Sequence, residues 1–170
     1  MAEFLDYRKN KRETLFKEFE KSTLKIYDIQ NYIPIYTKMF NFDESNFNGI
    51  NLNTSFSLKS IGKELKFRTY SCYIEDEKHN KQPGDVFFKC SPLIDPIRYM
   101  TGKYENETEL LKLPSLLTKV HPKIMDSNNS AYTDGFFSFL SSKLLKLYGM
   151  HHCINFYDSF LAYQKEFSYD

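Results

Sequence analysis

The sequence predicts an α+β fold, a small antiparallel sheet with a packed helix, on two observations. Between residues 50 and 93, three apolar runs are separated by turn-forming residues, and strand-forming runs bounded in this way read as a meander. The second observation is one strongly delimited helical segment after residue 128. Asn129 or Ser130 supplies an N-cap, Asp134 lies in the first turns where negative charge is favoured, and Lys143 and Lys146 fall near the end. Gly149 is placed to close the helix, and Tyr132, Phe136, Leu140, Leu144 and Leu147 form the expected buried stripe.

The remaining elements follow in chain order. Leu15, Phe16, Phe19, Thr23 and Ile26 recur at helical spacing, with Glu13 and Lys17 as an i,i+4 pair, so a helix is expected over residues 11–27. Pro34 is expected to start a short second helix, and residues 41–49 read as a loop. Leu52, Phe56 and Leu58 mark the first strand, and a turn at residues 60–63 leads to the second. In that second strand Leu65, Phe67, Thr69, Ser71 and Tyr73 share one face. A charged loop over residues 75–84 ends in the turn Pro83-Gly84-Asp85, from which the third strand, Val86-Phe87-Phe88-Lys89-Cys90, departs. Residues 91–127 form a proline-punctuated insertion with helical turns expected near 97–102 and 107–113, and residues 154–165 read as a further strand or hairpin. The domain division is then a helical N-terminal extension, 1–49, and a sheet-and-helix domain, 50–170.

Composition narrows the function classes. A chain of 170 residues, 41% hydrophobic and 26% charged, is globular rather than disordered. Aromatic residues are abundant, 16 Phe and 13 Tyr, yet Trp is absent. A formal net charge of +1 gives no reason to expect nucleic acid as a partner. Cys72, Cys90 and Cys153 form no C-x-x-C pair, so neither a disulfide framework nor a zinc knuckle is suggested, and a reducing compartment is expected. No apolar run approaches the ~20 residues that span a bilayer. The charged start carries no signal core, so a soluble intracellular protein without membrane attachment is expected.

Lys89 is the residue that points to chemistry. A lysine inside an apolar strand is costly unless its ammonium meets water, a carboxylate or a phosphate. It either snorkels from an edge strand to solvent or faces an anionic partner. Asp134 is the first candidate for that partner, with Glu107 and Glu109 as alternatives in the insertion; helix-start electrostatics alone also accounts for Asp134.

The strings IPIYTKMF with NGINLN, VFFKCSPLIDPIRYMTGKY, and NNSAYTDGFFSFLSSKLL with INFYDSFLAYQKEF resemble the kinase-like proteins of nucleocytoplasmic large DNA viruses, over residues 33–167. The resemblance implies a protein-kinase amino-terminal lobe, located in the host cytoplasm or virion. Lys89 would then contact ATP phosphates and the helix acid would orient it, with Mg2+ bridging the phosphates. It also implies a carboxy-terminal lobe, or another protein partner, bearing an H-R-D-like catalytic loop and a D-F-G metal-binding segment. Neither motif occurs in these 170 residues, so catalytic inactivity is expected of the chain alone. His121-Pro122-Lys123-Ile124-Met125-Asp126 has the wrong spacing for a catalytic loop. The glycine-rich loop is reduced to Gly62 in Ser60-Ile61-Gly62-Lys63, which leaves Gly62, Lys63 and Lys59 as candidate phosphate contacts. The same features support a non-catalytic, pseudokinase-like interaction or virion structural module.

His151-His152-Cys153 invites a metal reading, but adjacent side chains on an extended segment point to opposite faces. Phe136, Phe137, Phe139, Phe156, Tyr157 and Phe160 are expected in the core rather than as a base-stacking platform, because no basic stripe accompanies them.

Overall fold

The computed structural model describes residues 7–9 and 12–166. The architecture is mixed α+β, built from small antiparallel sheets and one long helix. Strand β1 (Tyr7–Lys9) pairs with β3 (Ile50–Leu52), and β2 (Ile26–Gln30) pairs with β7 (Leu161–Gln164). The expected meander is β4 (Phe56–Lys66), β5 (Thr69–Asp76) and β6 (Lys81–Phe87), in that spatial order. Helices α1 (Glu13–Glu20), α2 (Pro96–Met100), α3 (Pro122–Met125) and α4 (Ser130–Tyr148) complete the set.

Several boundaries differ from expectation, each for a local reason. Helix α1 stops at Glu20 rather than continuing to residue 27, and Lys11 lies outside the described residues. The Ser22 hydroxyl donates to the Phe19 carbonyl at 2.6 Å, offering the chain an alternative to the helical ladder, and Lys25 turns it away at φ 55°. Tyr27 is therefore in β2. Pro34 does begin a helical turn, a 3-10 segment over Pro34–Lys38. Leu52 and Phe56 fall in different sheets.

The turn expected at residues 60–63 is instead the interior of β4; the chain reverses at Phe67-Arg68, where Lys66 pairs with Thr69 and Arg68 has φ 52°. Gly62 serves close packing, since a Cβ there would sit 2.5 Å from Ser71 Oγ on the neighbouring strand. Pro83 and Gly84 lie within β6, not before it. Being an edge strand, β6 tolerates a residue without a backbone donor. As a result β6 ends at Phe87, and Lys89 follows the strand instead of lying in it.

Two main cores form. In the first, Leu15, Phe19, Leu24 and Ile26 pack on the inner face of the meander, against Leu58, Tyr70, Ile74 and Val86. Phe19 is completely buried and meets Phe88 and Phe160 at ring distances of 5.5 and 5.2 Å. Residues 13–26 are thus integral to the sheet's core, and the division at residue 49 does not separate two cores. In the second, α4 packs Tyr132, Phe136 and Phe139 against Ile33, Ile35, Tyr36, Ile50 and Leu52. The stripe on α4 departs from expectation: Phe139 and Lys143 are buried, whereas Leu147 is exposed. Lys143 donates to the Asn53 carbonyl and lies 5.2 Å from the Phe139 ring centre, which lets an ammonium sit there. A smaller cluster of Leu110, Val120 and Ile124 holds the insertion. Of residues 154–165, only Leu161–Gln164 is a strand.

Candidate functional site

The site forms where β6 leaves the sheet and α4 begins. Val86 is buried and Phe88 packs on the first core, so alternation leaves Phe87 on the opposite, open face of the sheet, 61% exposed. One residue beyond Phe88, Lys89 reaches α4. Its Nζ lies 2.9 Å from Asp134 Oδ1 and 2.7 Å from Oδ2, across 45 residues of chain. Among the acids considered, Asp134 is therefore the one that meets Lys89. Glu107 pairs with His121 at 3.2 Å and Glu109 with Lys112 at 2.9 Å.

Asn129 fixes the start of α4 relative to this lysine. Its Oδ1 accepts from the Ala131 amide at 3.1 Å, the N-cap bond, while its Nδ2 donates to the Leu93 carbonyl at 3.0 Å. The helix start is thereby tied to the segment that immediately follows Lys89. At the other end, Lys146 Nζ contacts Glu77 Oε1 at 2.5 Å, in the loop between β5 and β6. Gly149, at φ 63°, closes the helix. With its two ends bridged to opposite ends of β6, α4 runs antiparallel to that strand.

An open cleft of about 600 Å³ lies here, with Lys89, Pro92, Asp95, Lys123, Asn129 and Asp134 among its walls. Asp95 is occupied as the N-cap of α2, accepting from the Ile97 and Arg98 amides at 2.9 and 3.2 Å. Lys123 is a second cation on the wall, held by the Tyr104 hydroxyl at 3.0 Å. Sequence reasoning missed it as a site residue because its segment was tested only against a catalytic-loop pattern. The available signal was His121-Pro122, a helix start in which His121 Nδ1 accepts from the Lys123 amide.

Gly62 and Lys63 do not join this cleft. They lie on β4 with β5 between them and β6, a separation of roughly 9–10 Å at ordinary strand spacing. The turn adjacent to Lys89 is Phe67-Arg68, through a 2.8 Å bond from the Phe88 amide to the Arg68 carbonyl. Lys59 pairs with Glu75 at 2.9 Å. Arg68 stacks on Phe67 with its guanidinium 4.8 Å from the ring centre.

The Lys89 and Asp134 side chains are 63% and 43% exposed. In such a setting an ion pair is weak and exchangeable, so an anionic oxygen entering the cleft can replace a carboxylate oxygen at Nζ without a large desolvation penalty. Among the described residues, no group of three or more His, Cys, Asp and Glu is placed to hold a metal ion. No described helix is long and apolar enough to cross a membrane. No protein-family model, curated protein or solved structure matches the chain.

Proposed function

We propose that this chain is the sheet-and-helix lobe of a kinase-like protein, in which Lys89, oriented by Asp134, receives the phosphates of ATP. The observation that carries the reading is the ion pair between a lysine leaving the third strand of an antiparallel meander and a carboxylate in the first turns of the long helix. Phe87 adds an exposed aromatic ring on the open face of the sheet, available to a nucleobase. Magnesium would supply charge neutralisation between the phosphates, and its carboxylate ligands, like the catalytic base, would come from a second lobe. Within these residues the chemistry is binding and orientation: Lys89 meets a phosphate oxygen, and Asp134 holds the ammonium in place.

A second reading, a non-catalytic interaction or virion structural module on the same scaffold, is favoured by the turn beside Lys89. Phe67-Arg68 has no glycine to let backbone amides approach a phosphate closely. Helix α4 is also packed on the second core rather than on the inner face of the meander.

Thermal unfolding with and without magnesium and ATP separates the two, using wild type, Lys89→Ala and Asp134→Asn. Ligand at about 100 times its Kd adds about 2.7 kcal/mol of stability. A stabilisation of wild type that Lys89→Ala abolishes and Asp134→Asn weakens supports the phosphate site. No stabilisation of wild type at millimolar ATP refutes it in favour of the scaffold reading.

A further inference from the structure

The hairpin between β4 and β5 ends in a solvent-facing tip that mixes apolar and cationic side chains. Residues 62–67, which close β4 and open the turn, are all exposed. In and beside that run, Leu65, Phe67 and Phe87 are 46%, 63% and 61% exposed. Phe67 is the first residue of the two-residue turn, and Phe87 pairs with Thr69, the residue that follows it. Large apolar side chains gathered in water and rimmed by charge mark a docking or membrane surface.

We propose that this tip is a peripheral membrane contact, in which Phe67 and Leu65 enter the interface of a bilayer while Lys63, Lys66 and Arg68 meet anionic lipid headgroups. Charge selects that occupant. Among the described residues, no carboxylate forms an ion pair with Lys63, Lys66 or Arg68. The one acid in residues 59–74, Glu64, is engaged within the chain: its Oε2 accepts from the Thr23 hydroxyl at 2.6 Å and its Oε1 from the Arg68 amide at 3.1 Å. The first acid behind Phe87 on the open face is Asp85, opposite Ser71 and about 7 Å further from the apex.

The lysines alone have a simpler use, because cations on a free edge strand such as β4 deter strand addition. That use leaves Phe67 and Phe87 unexplained. Single-stranded nucleic acid is bound along grooves with stacking platforms. Phe67 instead stands on a projecting turn, with the Arg68 guanidinium 4.8 Å from its ring centre. The turn is also held in shape. Lys66 pairs with Thr69, and the Phe88 amide donates to the Arg68 carbonyl at 2.8 Å, so insertion needs no reordering of the backbone.

Neither part suffices by itself. Each Lys or Arg near an anionic surface contributes about fivefold in partitioning, and one inserted Phe roughly tenfold. A single anchoring signal binds only marginally, and an apolar tip joined to a cationic rim supplies two. The contact is therefore reversible and salt-sensitive. The expectation of no membrane attachment rested on the lack of a spanning run and of a signal core, neither of which bears on a surface contact. No nucleotide takes part.

Co-sedimentation with sucrose-loaded vesicles tests this, using phosphatidylcholine alone and phosphatidylcholine mixed with phosphatidylserine, without nucleotide. Wild type is expected to pellet with the anionic vesicles only, and to be released as salt rises to about 1 M, where the screening length is about 3 Å. Phe67→Ala should weaken partitioning roughly tenfold, and Lys66→Glu, a change of two charges, roughly 25-fold. Both positions are exposed, so melting temperatures without vesicles should stay within a few degrees of wild type. Wild type that stays in the supernatant with anionic vesicles overturns the proposal, as does equal pelleting with phosphatidylcholine alone. Pelleting that neither substitution weakens also overturns it, because the contact then lies elsewhere on the molecule. Binding of a labelled single-stranded oligonucleotide without binding to vesicles overturns it in favour of a nucleic-acid surface.

Discussion

Replacing Phe19 with Ala tests whether α1 belongs to the core of the meander. The ring is fully buried and makes aromatic contacts with Phe16, Phe88 and Phe160 at 6.2, 5.5 and 5.2 Å between centres. Truncating a buried Phe costs about 3–5 kcal/mol, the transfer term plus the cavity. Aromatic pairing adds about 0.5–1.5 kcal/mol for each well-placed ring, which puts this site at the upper end of that range. Against a domain stability of about 5–15 kcal/mol, the loss is a large fraction of the whole. With about 2–4 °C lost per kcal/mol in a chain of this length, the melting temperature should fall by 10 °C or more. Urea unfolding followed by far-ultraviolet circular dichroism measures the free-energy loss and a thermal scan the shift in melting temperature, with Phe67→Ala as the control. Phe67 is 63% exposed at the hairpin tip and should change stability by no more than about 0.5 kcal/mol. A loss under about 1 kcal/mol for Phe19→Ala would show that α1 does not pack on the sheet.

Other expectations follow from the same geometry. Lys89→Ala should cost no more than about 1 kcal/mol in the absence of ligand, because the pair is exposed, whereas Asp158→Asn, whose partner Arg12 is nearly buried with it, should cost about 3–5 kcal/mol; paired denaturant titrations compare them. Tyr132→Phe removes the 2.9 Å bond to the buried Ile124 carbonyl and should lower stability by about 1–3 kcal/mol in the same assay. Burial raises the Tyr36 phenol from its ordinary 10.0 to about 12 and pushes Tyr132 up as well. Above pH 10 the unfolded chain gives up these protons while the folded chain keeps them, so stability should be complete below pH 10 and decline as pH rises towards 12. Denaturant midpoints across that window check the sign, and Tyr36→Phe should make the decline shallower. Hydrogen bonds and neighbouring cations lower the Glu75 carboxyl below its ordinary 4.5. Its stabilising share should therefore be present above pH 4.5 and be lost on further acidification, with Glu75→Gln flattening that acid limb.

The elements with strong end signals were legible in the sequence. Helix α4 starts at the Asn129 cap and closes at Gly149 because both signals act within one turn of chain. The meander was recognisable from its apolar runs, and its third strand with α4 brought Lys89 to Asp134. Where tertiary contacts decide, local patterns misled. Gly62 reads as a turn former by itself, but it marks close approach to Ser71, which only the strand register reveals. Pro83 reads as a turn until β6 is known to be an edge. Lys143 reads as a helix-end cation, while the Asn53 carbonyl and Phe139 ring that accept it lie outside any local window. The helical spacing of Leu15, Phe16, Phe19, Thr23 and Ile26 suggested one long helix because Ile26 serves the same core from a strand.

The pairing of Ile26–Gln30 with Leu161–Gln164 governs how the molecule comes into being. Gln164 Nε2 donates to the Leu24 carbonyl across 140 residues. At translation rates of about 5–20 residues per second, the early strand waits roughly 7–28 s for its partner to be made. The meander, complete at residue 87, covers Leu24 and Ile26 before then, but the backbone edge of β2 and the places that Phe160 and Ala162 take on this core stay open. The nascent chain therefore passes through an interval in which the edge of β2 is unpaired, and acquisition of the native state follows completion of the second partner instead of proceeding from the amino terminus onward.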